Sequence, residues 1–187
     1  APALLAAWNR MDGLQPLPEV CISGGDFLAP GDIGRLLGRM RIWNSYGPTE
    51  TCIAAAMVDC AAAASGPTLP IGRPFAHVAF AVLDAEGRRL RPGQWGELAI
   101  YGDFERHGYL DDPALSAAKF GRDEQGSFFR TGDCAMADRD GLFYLKGRMD
   151  DSCKVRGNFI GLGELESRAG QYPGVAAAGA AVAFAGT

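Results

Sequence analysis

The chain has 187 residues, 48% of them hydrophobic and 21% charged, and its 18 basic and 22 acidic side chains leave a net charge of −4. That length suits one ordinary domain, or one and part of another, with a sizeable core, and the composition excludes a disordered segment. The 15 arginines and three lysines are scattered singly, so there is no basic field to hold nucleic acid.

The longest apolar stretch, residues 175–186, is 12 residues of mostly Ala and Gly, short of the roughly 20 that cross a bilayer. The first residues lack a basic and then apolar export signal. Five separated cysteines (Cys21, Cys52, Cys60, Cys134, Cys153) contain no C-x-x-C pair. An odd number so spaced suits a reducing cytosol, not a disulfide framework or zinc knuckle. These features point to a cytoplasmic protein with no membrane partner. With two histidines, His77 and His107, and no G-x-S-x-G, a serine-hydrolase triad has little to build on. The Walker loop and G-x-G-x-x-G are absent as well.

Glycine accounts for 26 residues, about twice the usual ~7% share, and punctuates short β-like runs. Residues 20–23 (VCIS) read as a buried strand ending at Gly24-Gly25. Residues 30–40 read as a helix, with Pro30 near its start and Ile33, Leu36, Leu37 and Met40 at helical spacing. A second strand over 41–44 completes a β-loop-α-β unit, residues 53–58 are a third apolar run, and residues 61–70 are a loop or linker. Residues 71–102 change to antiparallel character, with strands at 77–83 and 97–101 and turns at 84–87 and Pro92-Gly93. Asp112 reads as the N-cap and Pro113 as the first residue of a short helix to Phe120. Further strands fall at 128–129 and 142–145, turned at 139–141. A hairpin about Arg156-Gly157, a helix over 163–171 and a closing strand follow. The expectation is a mixed α/β (α+β) fold: a β-α-β sheet segment, a β-barrel-like part over about 71–146, and a boundary near Asp150 dividing 1–149 from 150–187.

The densest chemistry lies at residues 44–50 (NSYGPTE), a strand end entering a Gly-Pro turn, which is where open α/β sheets bind ligands. Tyr46 offers a face to stack a base, Thr49 a hydroxyl for a phosphate oxygen, and Glu50 a carboxylate for Mg²⁺. A turn with a packed Tyr and a solvated Glu would leave the same trace. The clusters RTGD (130–133) and GRMD (147–150) add an Asp able to accept from a ribose diol and an Arg fork. Each alone is also a common glycine turn; together they propose a nucleotide site built from three loops.

NSYGPTE (44–50), GELAIYGDFERHGYL (96–110), RTGD (130–133) and GRMDDSCKVRGNFIGLGELE (147–166) follow one another in this order. In this they resemble the core motifs of the adenylation domains of nonribosomal peptide synthetases, within the adenylate-forming (AMP-binding) superfamily. The resemblance runs from about residue 17 to 184. It implies that Tyr46 stacks on adenine beside Gly47, Thr49 bonds the α-phosphate, Glu50 holds Mg²⁺, Asp133 binds the ribose hydroxyls and Arg148 contacts ribose or phosphate. It further implies a hinge at Asp150, with Lys154 and Gly157 on a mobile hairpin, and an acyl pocket lined by Ile22, Gly24, Ser45, Ile53 and Ala54. That lining is small and mostly apolar; Ile22 and Ile53 are equally readable as ordinary core.

The implied activity is conversion of a carboxylic acid (amino, aryl or keto) with Mg-ATP to an acyl-AMP, then loading onto the phosphopantetheine of a carrier protein. Neighbouring synthetase domains would be its other partners, in secondary metabolite biosynthesis. The family's Ser/Thr/Gly-rich phosphate loop and distal catalytic Lys have no counterpart here, so the chain alone is expected to be inactive. Departures inside the motifs include Asp26 for Glu, His107 for Arg, Ser152 and Cys153 for Gln and Val, and Phe159 and Gly161 for Arg and Glu. They leave room for a rival reading, a non-catalytic or interrupted adenylation segment kept as a scaffold. A simple nucleotide-binding module is a third reading.

Overall fold

A computed structural model describes residues 2–13, 15–63, 66, 68–149, 152–155, 158–170, 172, 174–175 and 177–181. Helix α1 (Pro2–Arg10) opens the chain, an element the sequence reading did not include. A four-stranded sheet follows, in the order β1 (Val20–Gly24), β2 (Arg41–Tyr46), β3 (Ala56–Asp59), β4 (Arg73–Pro74). Strands β1 and β2 are parallel and the other pairs antiparallel, so the expected crossover unit over 20–44 is present.

Its connection is not the helix the apolar spacing suggested. One 3-10 turn (Pro30–Asp32) gives way to short turns closed by Leu36 N–H to Ile33 O and Arg39 N–H to Leu36 O. Gly31, Gly34 and Gly38 interrupt the run, and Gly38 sits at φ +83, where a regular helix cannot continue. The spacing still serves burial, because Ile33, Leu36 and Met40 enter one core with Leu5, Leu28, Ile42 and Cys60.

Short helix α2 (Cys60–Ala63) follows β3. The antiparallel structure expected next is a five-stranded sheet of β5 (Ala79–Leu83), β6 (Gly96–Tyr101), β7 (Phe120–Asp123), β8 (Gly126–Ala137) and β9 (Phe143–Arg148). Its order is β5-β6-β8-β7, with β9 also on β8. Helix α3 (Pro113–Lys119) precedes β7, and the Asp112 carboxylate caps it by accepting from Leu115 N–H at 2.8 Å, as expected. Beyond residue 149, β10 (Ser152–Val155) and β11 (Asn158–Gly161) pair as the expected hairpin, and α4 (Leu162–Gly170) follows. The described residues from 172 to 181 contain no strand where a closing strand was expected. Asp150 and Gly157 lie outside the described residues.

β8 is long enough to serve three neighbours. One edge carries β6; along the other, β7 takes residues 126–129 and β9 takes residues 133–137. Leu98, Ile100, Phe129, Ala135 and Phe143 form the inner face with Ala55 and Ile71, which lie just before β3 and β4 of the other sheet. Fully burying a side chain such as Leu98 or Ile100 stabilises the fold by about 1.5–3 kcal/mol.

The two sheets are also joined through backbone. Ile71 N–H donates to Phe143 O at 2.8 Å, and Phe143 N–H to Gly72 O at 3.0 Å. Gly72 sits at φ +98, and a Cβ there would stand 2.3 Å from Met57 O and 2.5 Å from Met57 C. Gly72→Ala is therefore expected to destabilise the chain by roughly 2–4 kcal/mol through strain and overpacking. Urea unfolding checks this, and a loss under ~1 kcal/mol would mean that the junction yields.

Candidate functional site

The site forms where the carboxyl ends of β1 and β2 meet the middle of β8. A cavity of about 350 Å³ lies there, walled by Gly25, Phe27, Ser45, Tyr46, Asp133 and Arg148, among others. This is the size of an ordinary small-molecule pocket, at the strand ends where parallel sheets bind ligands.

Asp133 owes its position to a bulge. Register fixes Ala99 opposite Arg130 and Glu97 opposite Cys134, so residues 131–133 all face Leu98. Side chains hold this extra backbone: Thr131 Oγ donates to Leu98 O at 2.9 Å and accepts from Asp133 N–H at 3.0 Å. Glu97 accepts Gly132 N–H at 3.1 Å on one oxygen and pairs with Arg130 on the other at 2.6 Å. Bulges re-aim side chains beside sites, and this one sends Asp133 to the end of β2. There Tyr46 O–H donates to Asp133 Oδ2 at 2.5 Å, across 87 residues of sequence. Burial first, then the Asp133 charge, holds the Tyr46 phenol far above its ordinary pKa, so it stays a donor. Phe80 meets the Tyr46 ring edge-on at 6.2 Å and fixes its plane.

Arg148, at the end of β9, completes the group. Its Nη1 donates to Thr131 O at 2.8 Å and to Asp133 Oδ1 at 3.2 Å. The Arg148 side chain is 45% exposed and Asp133 15%, so solvent screens the pair and its stabilisation is at most about 1 kcal/mol. Its effect is aim: two donors fix the carboxylate beside the cavity.

The NSYGPTE turn lies next to this group. Gly47 lines the cavity, a 3-10 turn (Thr49–Thr51) follows Pro48, and Ala55 N–H donates to Tyr46 O at 2.7 Å to close the loop. Thr49 is exposed and Glu50 half-buried. Glu50 Oε1 accepts a hydrogen bond from Tyr109 O–H at 2.5 Å. Burial, then the Glu50 carboxylate, pushes the Tyr109 phenol up to about 12. No group of three or more His, Cys, Asp or Glu gathers among the described residues. One carboxylate beside a hydroxyl fits Mg²⁺, which usually keeps waters and takes substrate phosphate oxygens with one or two carboxylates.

Five expected residues therefore converge: Tyr46, Gly47, Asp133 and Arg148 around the cavity, with Glu50 on the adjoining turn. Of the expected acyl-pocket residues, Ser45 lines this cavity. Gly24 lies against Ser45, where a Cβ would meet Ser45 O at 2.7 Å. Ile22 and Ile53 are 60% and 85% exposed, so neither is ordinary core. Cys52 and Ile53 both take positive φ, 57 and 81, and they carry the chain from the turn to Ala54. Lys154 lies in β10 opposite Phe159. Tyr109, Glu97 and Thr131 also shape the site; all three stand in the quoted motifs, but their partners are distant in the chain and no local pattern marks them.

The chain belongs to the AMP-binding enzyme family: a family model described as "AMP-binding enzyme" matches residues 1–110. Within that family it is one portion of an adenylation domain of the nonribosomal peptide synthetase type, as its motifs implied. It is 40% identical to bacitracin synthase 1 of Bacillus licheniformis over 157 residues, 79% of this chain and 3% of the synthase. With novobiocin biosynthesis protein H of Streptomyces niveus it shares 37% identity over 173 residues, 88% of this chain and 28% of that protein. An NRPS protein containing adenylation and PCP domains superimposes with a TM-score of 0.69 at 28% identity, covering 94% of this chain and 38% of that one. The chain thus spans well under half the length of these relatives. No helix among the described residues is long and apolar enough to cross a membrane.

Proposed function

We propose that the adenylation domain containing this chain activates a carboxylic acid with Mg-ATP and passes the acyl group to a carrier-domain phosphopantetheine thiol. The observation carrying this reading is the convergence of Tyr46, Asp133 and Arg148 on one cavity, with Glu50 beside it. The Tyr46 ring takes adenine, Asp133 accepts from the ribose hydroxyls, and Arg148 contacts ribose or phosphate. Thr49 bonds the α-phosphate, and Glu50 holds the Mg²⁺, whose charge offsets that of the phosphates. The substrate carboxylate oxygen attacks the α-phosphorus, the bond to the leaving oxygen breaks, and pyrophosphate departs with its electrons. The thiolate then attacks the acyl carbon and AMP leaves.

Ile22, Gly24, Ser45, Ile53 and Ala54 are assigned to the acid's side of the site, and a group carrying no charge suits that lining. Asp150 is assigned as the hinge between 1–149 and 150–187, with Lys154 approaching the site on the swinging side. The relatives' synthase names and the adenylation–PCP neighbour support a carrier domain as partner.

ATP–pyrophosphate exchange with amino, aryl and keto acids tests this. Exchange that depends on one acid class is expected. ATP binding without acid-dependent exchange would favour a simple nucleotide module, and no ATP binding a scaffold segment. Glu50→Gln is expected to lower exchange by ~100-fold while moving the melting temperature by no more than a few degrees, because a neutral amide is a poor ligand for a hard cation. Parallel losses would make Glu50 a turn residue only.

A further inference from the structure

We infer that Tyr109 is a positioning residue for Glu50: its phenol grips one carboxylate oxygen so that the other faces a divalent cation carried by ATP. This rests on the proposed reading of Glu50 as the cation's carboxylate. The contact joins segments 59 residues apart, from the turn after β2 to the loop before α3, at 2.5 Å. Glu50 Oε2 has no hydrogen-bond partner among the described residues, so the grip is one-sided.

Tyr109 is itself held in place. Its N–H donates to Ser116 Oγ at 2.8 Å, and Ser116 Oγ–H donates to Asp112 O at 2.7 Å. Its ring meets Phe120 at 5.7 Å. The α3 cap at Asp112 and the aromatic cluster thus fix the phenol before any ligand arrives.

The donor's chemistry suits the task. A Lys or Arg here would orient Glu50 equally well, but its charge would cancel the carboxylate's and repel the cation. A phenol orients the carboxylate and leaves its charge available. Hydrogen-bonded partners of metal ligands act in this way, and removing them weakens metal affinity by ~10–100-fold.

The test uses Tyr109→Phe, which keeps the ring, in the adenylation domain containing this chain. Mn²⁺ is the probe, followed by paramagnetic resonance in the presence of a non-hydrolysable ATP analogue; AMP affinity without metal and the melting temperature are read alongside. Tyr109→Phe is expected to raise the Mn²⁺ concentration at half-saturation ~10-fold, leaving AMP affinity within about twofold of the parent. In a Glu50→Gln background the same change should add less than about twofold, because the two residues act as one unit. If Glu50→Gln shifts the Mn²⁺ titration and Tyr109→Phe does not, or if their effects multiply, the inference is overturned and the reading of Glu50 stands. If Glu50→Gln leaves the titration unchanged, that reading fails and the inference with it. A joint loss of AMP affinity and melting temperature in Tyr109→Phe would make the residue a brace between two loops, which also overturns it.

Discussion

Asp133→Asn is expected to weaken ATP binding by ~100-fold, since the charged hydrogen bonds a carboxylate makes are stronger than an amide's by a total near 3 kcal/mol for two ribose hydroxyls. The amide keeps the shape and can still accept from Tyr46 O–H, which now reaches Asp133 at 2.5 Å. Its NH₂, however, turns a donor toward either Tyr46 or the Arg148 guanidinium, which now donates to Oδ1 at 3.2 Å. Stability should change by no more than ~1 kcal/mol, because the ion pair lost is half in water. Calorimetric titration with ATP and with 2′,3′-dideoxy-ATP separates the possibilities. The deficit should largely disappear with the dideoxy nucleotide, which offers no hydroxyl to the carboxylate. An equal deficit with both, alongside a matching loss of stability, would make Asp133 a clamp on the β8 bulge and not a ribose ligand.

The second large effect is expected at Gly47. A Cβ there would stand 2.6 Å from Ile53 O, 2.7 Å from Ala54 Cα and 2.8 Å from Ala54 N. All three are backbone atoms, so no side chain can swing aside. Gly47→Ala must push the loop after Pro48 away from β2, at a cost of about 1–3 kcal/mol in stability. That movement also displaces Thr49 and Glu50, and a misplacement near 1 Å costs ~100-fold in a positioned reaction. Exchange should therefore fall by at least that factor, well beyond what the unfolded fraction explains. Urea unfolding and exchange rates on one preparation check both numbers. Near-parental exchange would show that the turn tolerates the shift and does not hold reacting groups.

Much of the candidate site was legible because the groups that gather around and beside the cavity sit in short motifs: Tyr46, Glu50, Asp133 and Arg148 each belong to a run recognisable on sight. Strands flanked by glycine or turn residues, such as β1, β6 and the β10–β11 hairpin, were legible too. The run over 30–40 was not, since the spacing of Ile33, Leu36 and Met40 records which side chains are buried, and a series of turns can bury the same set. The bulge at residues 131–133 was hidden for a different reason. It depends on Glu97 and Leu98 of the neighbouring strand, so no window around RTGD contains its cause. Tyr109 was missed likewise, because a hydrogen bond spanning 59 residues leaves no periodic trace.

The gap in the outer edge of β8 carries a mechanical consequence. Between the stretches covered by β7 and β9, Thr131 O is held by Arg148, Gly132 N–H by Glu97, and Gly132 O by Met149 N–H at 2.7 Å. A ladder opens only as neighbouring rungs let go together, whereas these fastenings are mostly separate side chains. Residues 131 and 132 lie outside both ladders, so their amide protons are expected to exchange independently of the β6–β8 and β8–β9 pairs that flank them. A nucleotide engaging Arg148 or Asp133 would act on those fastenings directly, making this short stretch a local reporter of occupancy.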